Sequence, residues 1–351
     1  MPSLVYLVNE FGRQFYGGVG TVVGQQVAEL RRRGIPVEVL VWAENPKWKA
    51  EVFTAEGARP VSKASELLAA LPKDALVVDH LYADHPVRRL IPRRLQYEHS
   101  LRGARDATQV YSPRRYARAD AVVCVSEGER EAFVRRYPQH AHKAECVPNG
   151  YSPPETEPSP ARDQTIGYLG RNVPMKRVEL VLEGARQSGL PLRMSLAAAG
   201  GMPLPAEQLA GLDVTLFHDL SQAELARDFW PHIGLLCVPS AYEPFGMVAI
   251  EALSRGIPVL AARTGGLAEI MEAGQDASQV PPGLLFESDG LSAEAARQGF
   301  LARLAQWQQL SPGQRFLMSR AARHRARAFS AETMVNQLLA VIQRRFGIAL
   351  P

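Results

Sequence analysis

The chain has 351 residues, of which 46% are hydrophobic and 22% are charged. This length accommodates two α/β domains with separate cores, and the composition argues against disorder over most of the chain. A formal net charge of only +4, with no aromatic residues interleaved in the basic runs, argues against a nucleic-acid-binding protein.

Strand-like and helical segments alternate from the start of the chain. The opening MPSLVYLVNEFG predicts a strand and turns polar too soon for a signal peptide. The helical stretch VGTVVGQQVAELRRRG and the strand VEVLVW complete a βαβ unit. Further strands are predicted at ALVVDH, RRLQYEH, DAVVCVS and AECVPN, with helices at ASELLAAL and EGEREAFVRRY between them. This alternation favours a parallel sheet covered by helices.

A proline-rich break begins at Pro148 and continues to Pro160, which predicts a linker. The alternation then restarts with the strands TIGYLGR, PLRMSLAAAG, DVTLFHD, IGLLCVPS and PVLAAR, and with helices from about Val178, at AELARDFW and after Phe245. The tail FSAETMVNQLLAVIQRRF has helical spacing. The sequence therefore predicts an α/β protein with two Rossmann-like domains, residues 1–155 and 162–328, followed by a terminal helix over 329–351. Such folds bind ligands at the carboxyl ends of their strands.

No apolar run approaches the roughly 18 residues that a membrane helix needs, so we expect a cytoplasmic protein. The three cysteines, Cys124, Cys146 and Cys237, lie far apart in apolar stretches, which predicts buried side chains. The positive excess lies in residues 1–155. Its runs are Arg31-Arg32-Arg33, Arg88-Arg89 and Arg93-Arg94. Solvated helix ends are the simplest interpretation, and peripheral contact with anionic lipid at the inner membrane face stays open.

The segment PSAYEPFGMVAIEA follows a predicted strand and is predicted to be a loop that leads into a helix. A helix beginning near Gly246 aims backbone N–H groups and a partial positive charge at its N-terminus, which suits a phosphate. Glu243 lies before this helix. Glu251 lies about five residues into it, which is about 7.5 Å along the helix axis from its start. Because carboxylates repel phosphate, their natural partners are hydroxyls on either side of it, and a nucleotide sugar has that layout.

The Glu-x7-Glu element in EPFGMVAIE resembles the retaining transferases typified by sucrose and mannosyl transferases, glycosyltransferase family 4. The resemblance implies the GT-B fold, in which two Rossmann-like domains face a central cleft and the C-terminal helix crosses back to the N-terminal domain. It assigns Glu243 to the donor sugar and Glu251 to the ribose hydroxyls. The diphosphate would meet the backbone of Phe245, Gly246, Met247 and Val248. The following GIPVLAARTGGLAEI also fits this family, with Gly265-Gly266 as a tight turn and Glu269 in a new helix.

A second element, Gly170-Arg171-x4-Lys176, follows a predicted strand and resembles the same family's phosphate-binding cations. An arginine fork and a lysine ammonium stabilise negative charge as a nucleoside diphosphate departs. This predicts catalysis with no metal and no cofactor, with the nucleotide-diphosphate sugar as donor substrate.

In the first half, Gly17 and Gly18 lie in a loop between a strand and a helix, where small residues let backbone approach a ligand. They resemble the family's Gly-Gly loop, and a simple tight turn is an equally good interpretation. His80 and His99 each end a strand-like run. The resemblance favours His99 as the histidine near the donor sugar, with His80 second. His218 would meet the nucleotide base, with Leu225 beginning the helix beneath it, and Ser126 and Asn149-Gly150 match structural landmarks.

The resemblance implies that the second domain binds the donor and the first binds a hydroxyl acceptor, with the anomeric configuration retained. A sugar, an aglycone and a lipid-linked primer remain open as acceptors, and UDP- or GDP-linked donors are favoured. The alternatives are a GT-B epimerase or phosphorylase and a catalytically silent nucleotide-sugar-binding subunit. The conjunction of Arg171, Lys176, Glu243 and Glu251 argues against a silent subunit, because binding alone does not need charge aimed at a leaving phosphate.

Overall fold

The computed structural model describes residues 3–9, 11, 18–42, 57–81, 86–101, 113–152, 164–197, 201–272 and 280–350. The chain forms two compact units. Unit 1 comprises Met1–Gly150 together with Ala331–Pro351, and unit 2 comprises Tyr151–Ser330. Each unit contains a parallel sheet with helices, so the predicted α/β fold with two Rossmann-like domains is confirmed. The proline-rich stretch over 153–163, which contains the predicted domain boundaries at 155 and 162, lies outside the described residues.

Unit 1 has a seven-stranded sheet in the order β3-β2-β1-β4-β5-β6-β7. Its strands are β1 Leu4–Val8, β2 Val37–Trp42, β3 Ala58–Val61, β4 Leu76–Asp79, β5 Arg94–Glu98, β6 Ala121–Cys124 and β7 Ala144–Cys146. Its first helices are α1 Gly18–Arg32, α2 Ala64–Ala70, α3 Arg114–Ala117 and α4 Glu127–Arg136, with 3-10 turns at Pro86–Leu90 and Pro138–Lys143. The strand order reverses between β1 and β4, which is where ligands bind in such sheets.

The central strands of unit 1 form because they are continuous apolar runs. All five residues of β1 and all four of β4 are buried, as expected for parallel strands covered on both faces. β3 was not predicted, because its sequence ARPV contains Arg59 and Pro60. Its position at the sheet edge explains why the proline is tolerated there.

Unit 2 has a six-stranded sheet in the order β10-β9-β8-β11-β12-β13, which reverses between β8 and β11. Its strands are β8 Ile166–Gly170, β9 Leu192–Leu196, β10 Val214–His218, β11 Leu235–Val238, β12 Val259–Arg263 and β13 Gly283–Glu287. Its α-helices are α5 Val178–Ser188, α6 Ala206–Leu209, α7 Gln222–Glu224, α8 Met247–Ser254, α9 Gly265–Glu272, α10 Ala293–Gln309 and α11 Pro312–Ala326. A π-helical turn covers Leu225–Phe229, and 3-10 turns cover Pro174–Lys176, Trp230–His232 and Arg327–Phe329.

The last helix, α12 Ala331–Phe346, belongs to unit 1. The Met334 sulfur lies 3.5 Å from Gln26 Nε2 of α1 and accepts a hydrogen bond from the backbone N–H of Gly150 at 3.2 Å. Arg33 also donates to the Asn336 side chain at 2.6 Å. The helix therefore completes the core of the unit in which the chain begins.

The described helices include none with the length and hydropathy that crossing a membrane requires. Of the three cysteines, Cys124 and Cys237 are buried as predicted, whereas Cys146 on the edge strand β7 is partly exposed.

Candidate functional site

The candidate site of unit 2 is built from two loops that follow the neighbouring strands β8 and β11. These strands pair in parallel at the point where the strand order reverses, so their carboxyl ends lie side by side. The backbone N–H of Ala241, in the loop after β11, donates to the Met175 carbonyl in the loop after β8 at 2.8 Å. The two sequence elements predicted to bind phosphate therefore meet in space.

Lys176 and Glu243 are joined directly by an ion pair between Lys176 Nζ and Glu243 Oε2. Ser240 donates its hydroxyl to the same carboxylate oxygen at 3.2 Å. The side chains of Lys176 and Glu243 keep 20% and 13% exposure, so a ligand can reach both. The sequence placed these two charges on different parts of the donor and did not indicate that they pair.

Arg171 follows β8 at the start of its loop and is partly exposed. Its carbonyl accepts a hydrogen bond from the Tyr168 hydroxyl at 2.7 Å. The side-chain amide of the next residue, Asn172, donates to the Met202 carbonyl at 3.1 Å. The backbone carbonyl of Asn172 accepts a hydrogen bond from the Met202 N–H at 2.7 Å. These bonds fix the backbone at Arg171 and Asn172, in the same loop that carries Lys176.

The helix α8 begins after Gly246, which has a φ of +112°. Both Ala249 and Ile250 donate their N–H groups to the Gly246 carbonyl, at 3.0 and 3.2 Å. The amides of Met247 and Val248 precede these bonds and belong to the first turn, whose N–H groups have no partner within a helix. A phosphate at this position would meet two amides and the positive end of the helix dipole.

Two glycines hold the Glu243 loop against α9. A Cβ on Gly265, whose φ is +47°, would lie 2.2 Å from the Glu243 carbonyl oxygen. A Cβ on Gly266 would lie 2.4 Å from the Cα of Phe245, and the Gly266 N–H donates to the Glu243 carbonyl at 3.0 Å. The pair was predicted to form a tight turn. In the structure it opens α9, and its lack of side chains allows the close approach.

Glu251 lies on α8 and is 5% exposed. Burial raises the pKa of its carboxyl to about 7, although Arg255 acts in the opposite direction. Arg255 donates to the Glu251 carbonyl at 2.8 Å and to the Tyr151 hydroxyl at 2.7 Å, and its guanidinium lies 4.9 Å from the Trp230 ring centroid. The Glu251 carboxyl is thus poised to change its charge near neutral pH, a property that the sequence did not indicate.

His218 lies at the carboxyl end of the edge strand β10 and is exposed. β10 is separated from β8 by one strand, which corresponds to about 10 Å across the sheet. Leu225 begins the π-helical turn that follows α7. His218 therefore shares the carboxyl edge with the loops after β8 and β11 and lies to one side of them.

In unit 1, His80 and His99 follow the adjacent strands β4 and β5 and contact each other. His80 Nδ1 and His99 Nε2 are 2.8 Å apart. His80 also stacks on Tyr97 with 4.5 Å between ring centroids, and it is 1% exposed whereas His99 is partly exposed. The sequence offered these histidines as alternatives, and the structure brings them together.

A cluster of buried charges lies beside these histidines. Asp79 accepts from Arg88 Nε at 2.6 Å and from Arg94 Nη1 at 2.9 Å, and all three residues are at most 3% exposed. Arg115 donates to Glu98 at 3.3 Å. The Tyr116 hydroxyl donates to Glu98 at 2.6 Å. We call this group the arginine cluster; its members are Asp79, Arg88, Arg94, Glu98, Arg115 and Tyr116. Burial alone would raise the pKa of Asp79, but Arg88 and Arg94 outweigh it and hold the pKa below its ordinary value.

The prediction of solvated helix ends is therefore wrong for Arg88 and Arg94, because each satisfies a buried carboxylate. Arg93 donates to the Phe346 carbonyl at 3.4 Å, and Arg33 pairs with Glu29 at 2.8 Å. The arginines of the three runs that are exposed to solvent are Arg31, Arg32 and Arg89.

Of the glycine loop, Gly18 is exposed and begins α1, whereas Gly17 lies outside the described residues. Ser126 accepts from the Glu129 N–H at 3.2 Å as the N-cap of α4, in agreement with its structural assignment. Within the described ranges, no three His, Cys, Asp or Glu side chains are grouped as a metal site would require.

Comparison with known proteins gives two family matches in tandem. The model described as Glycosyl transferases group 1 matches residues 154–305, and the one described as Glycosyltransferase Family 4 matches residues 16–153. A D-inositol 3-phosphate glycosyltransferase of Mycobacterium marinum is 32% identical over 194 residues, 53% of this chain and 39% of that protein. The chain thus matches about two fifths of the length of this curated relative.

Solved structures share the fold over nearly the whole chain. Sucrose-phosphate synthase from Thermosynechococcus elongatus superposes with a TM-score of 0.76 at 21% identity, covering 98% of this chain and 99% of that one. Anabaena HepE in complex with UDP-glucose gives 0.74 at 15% identity, covering 97% and 99%. The catalytic domain of Arabidopsis thaliana starch synthase IV, bound to ADP and acarbose, gives 0.71 at 14% identity, covering 99% and 100%.

Proposed function

Because this chain belongs to glycosyltransferase family 4, we propose that it is a retaining transferase that moves a sugar from a nucleotide-diphosphate sugar to a hydroxyl acceptor. The observation that carries the proposal is the meeting of the loops after β8 and β11 beside the N-terminus of α8. Cations, carboxylates and helix amides are combined there in one unit, as a nucleotide sugar requires.

In the proposed donor complex, the diphosphate lies at the amides of Met247 and Val248 and draws Lys176 away from Glu243. Phosphate is the stronger partner because it carries more charge and several acceptor oxygens. Glu243 then accepts hydrogen bonds from hydroxyls of the donor sugar, and Glu251 accepts from the ribose. Binding of phosphate to Lys176 would thus free the Glu243 carboxylate to bind the donor sugar.

The reaction breaks the bond between the anomeric carbon and the phosphate oxygen and forms a bond from that carbon to the acceptor oxygen. The acceptor proton passes to the departing phosphate on the same face, which retains the anomeric configuration. Arg171 and Lys176 stabilise the charge that develops on the leaving diphosphate, so the proposed reaction proceeds without a metal. The family resemblance supports His99 as the proposed contact for the transferred sugar.

The donor base stays part of the proposal, with UDP- or GDP-linked sugars favoured. HepE binds UDP-glucose and starch synthase IV binds ADP, so this fold accommodates more than one base. Peripheral membrane contact also stays a proposal, in which Arg31, Arg32 and Arg89 are the arginines of the basic runs that are exposed to an anionic surface.

The proposal is tested by thermal stabilisation with UDP, GDP, ADP and dTDP in buffer containing EDTA. A ligand at 100 times its Kd stabilises the native state by about 2.7 kcal/mol. We expect one nucleotide to raise the melting temperature of the wild type and to lose this effect in Arg171→Ala and Glu251→Ala. Arg320→Ala, which removes an exposed arginine of α11, serves as control and should respond like the wild type.

Stabilisation that is equal in Arg171→Ala and the wild type, or that requires a divalent metal, would contradict the proposed site. Transfer is then assayed with the sugar donors of the stabilising nucleotide, and NMR of the product assigns the anomeric configuration. An inverted product would contradict the retaining mechanism.

A further inference from the structure

The two histidines of unit 1 each follow a buried carboxylate at the end of a strand. The dipeptides are Asp79-His80 after β4 and Glu98-His99 after β5, and β4 and β5 are parallel neighbours. Successive side chains of an extended strand point to opposite faces. The arginine cluster holds both carboxylates on one face, so the backbone that presents His80 and His99 is fixed from the opposite side.

Aromatic rings fix the orientation of the histidine rings. The His80 ring stacks on Tyr6, with centroids 5.4 Å apart, and on Tyr97 at 4.5 Å. The His99 ring stacks on Tyr97 at 5.3 Å. Since His80 is 1% exposed within this stack, its ring cannot turn over without disturbing its neighbours.

The 2.8 Å contact between His80 Nδ1 and His99 Nε2 requires one ring to donate and the other to accept. Burial, and next the neighbouring His99, lowers the pKa of His80 well below its ordinary value. Removal from water lowers the pKa of His99 to about 3, and Arg115 acts in the same direction. Both rings are therefore neutral at pH 7, and each carries a single proton on one of its two nitrogens.

The other nitrogen of His80, Nε2, is buried and has no hydrogen-bond partner among the described residues. A proton on this nitrogen would be an unsatisfied buried donor, which is costly and rare in folded proteins. The proton is better placed on Nδ1, where it is donated to His99 Nε2. The single proton of His99 must then lie on its Nδ1.

We propose that His80 is a positioning residue that donates its Nδ1 proton to His99 Nε2 and thereby keeps His99 as an Nδ1–H donor. In this form His99 donates to an oxygen of the transferred sugar or of the acceptor, and it neither gains nor loses a proton during the reaction. This inference rests on the proposed function, in which His99 meets the sugar.

The first experiment compares three variants under the transfer assay. His80→Phe keeps a stacking ring and removes the hydrogen bond, whereas His80→Asn loses the ring and can place an amide N–H near the Nδ1 position. Tyr97→Phe is the matched control. It removes a hydrogen bond from the same stack, the one that Gln26 donates to the Tyr97 hydroxyl at 2.9 Å, and it leaves the hydrogen bond between the two histidines intact.

We expect His80→Phe to lower kcat/KM for the sugar donor about tenfold, the effect of one misplaced hydrogen bond in the transition state. His80→Asn should recover part of this loss, and Tyr97→Phe should stay near the wild type. The Kd of the nucleoside diphosphate, which carries no sugar, should be unchanged in all three. Unchanged kcat/KM in His80→Phe overturns the proposal, as does an equal loss in Tyr97→Phe.

The second experiment needs neither substrate nor variant. Long-range proton–nitrogen NMR correlations of the wild type show which imidazole nitrogen carries the proton, and we expect Nδ1 in both His80 and His99. A proton on Nε2 of His80 overturns the inference. If the wild type transfers no sugar from any donor, the proposed function fails. The NMR result alone then tests whether His80 donates its Nδ1 proton to His99 Nε2.

Discussion

At the scale of single residues, the Lys176–Glu243 ion pair gives the site two states, one with the charges paired and one with both engaged by ligand. We expect Glu243→Gln to raise the affinity for the nucleoside diphosphate about two- to fivefold, because Lys176 no longer has to leave a carboxylate. Partly exposed pairs of this kind contribute about 0.2–1 kcal/mol. The same variant should lower the rate of sugar transfer, since the amide is a weaker acceptor for sugar hydroxyls.

Isothermal titration and initial rates measure the two effects separately. Glu207→Gln, which changes an exposed carboxylate on α6, is the control and should alter neither quantity. Weaker nucleotide binding in Glu243→Gln would show that the carboxylate positions Lys176 and does not compete with phosphate.

The Glu251 carboxyl predicts opposite effects of pH on stability and on binding. Its folded-state pKa is raised to about 7 from an ordinary 4.5, so its protonated form favours the fold. This contribution to the free energy of unfolding is complete below about pH 4.5 and is lost as pH rises through 7. Nucleotide affinity should increase about tenfold over pH 6 to 8, because the ionised carboxylate is the stronger acceptor for ribose hydroxyls.

Glu251→Gln should flatten both pH dependences. Denaturation and nucleotide titration at several pH values are compared between the wild type and this variant, so that titration of the nucleotide's own phosphate cancels. Equal pH slopes in the two proteins would contradict the assignment of Glu251 to the ribose.

At the scale of structural elements, the contact between α9 and the Glu243 loop depends on the absence of a side chain at Gly265. Gly265→Ala should destabilise unit 2 by roughly 1–3 kcal/mol or displace the loop, because its Cβ would meet the Glu243 carbonyl at 2.2 Å. Nucleotide binding should weaken with it. Gly313→Ala on α11 is the matched control, since its Cβ would meet only the Ser311 hydroxyl at 3.9 Å. Urea denaturation and nucleotide titration measure both effects, and full nucleotide affinity in Gly265→Ala would refute this dependence.

The arginine cluster ties β4, β5 and the segment around α3 together through buried charge. Asp79→Asn should destabilise unit 1 by about 3–5 kcal/mol, because it leaves Arg88 and Arg94 buried without their carboxylate. Since the folded-state pKa of Asp79 is lowered, its contribution is present above its ordinary pKa and is lost as pH falls. The difference from the wild type should therefore shrink in acid. Glu38→Gln, which breaks the exposed Arg59–Glu38 pair, should change stability by less than about 1 kcal/mol in the same urea titrations.

Sequence reasoning succeeded for elements whose pattern is local and strong. The strands β1, β4, β6 and β11 are short apolar runs, and α5 begins at the predicted Val178. The short strand β13, GLLFE, was not predicted. The Lys176–Glu243 pair joins residues 67 positions apart, so predicting it requires knowing which two strands of the sheet are neighbours. Buried Arg88 and Arg94 look like surface residues in sequence, because their burial depends on Asp79 at the end of another strand.

At the scale of the whole molecule, unit 1 is discontinuous and depends on α12 for its core. Met334→Ala should lower the stability of unit 1 by about 2–5 kcal/mol, since the buried side chain contacts Gln26 and Gly150. Hydrogen exchange by mass spectrometry should show faster exchange in β1 and β4 and little change in β8 and β11. Met202→Ala, which truncates a methionine that is 53% exposed, should change neither. Equal loss of protection in both units would contradict this dependence.

The discontinuity of unit 1 also has a consequence for synthesis on the ribosome. Residues 1–150 are translated before unit 2, but α12, the helix that covers α1, is translated after it. Unit 2 is a single continuous segment of the chain, so it can complete its core before α12 is available to cover the apolar face of α1. The order in which the two units mature is then the reverse of their order in the sequence, and a nascent chain stalled before Ala331 would present an unfinished first unit to chaperones and proteases.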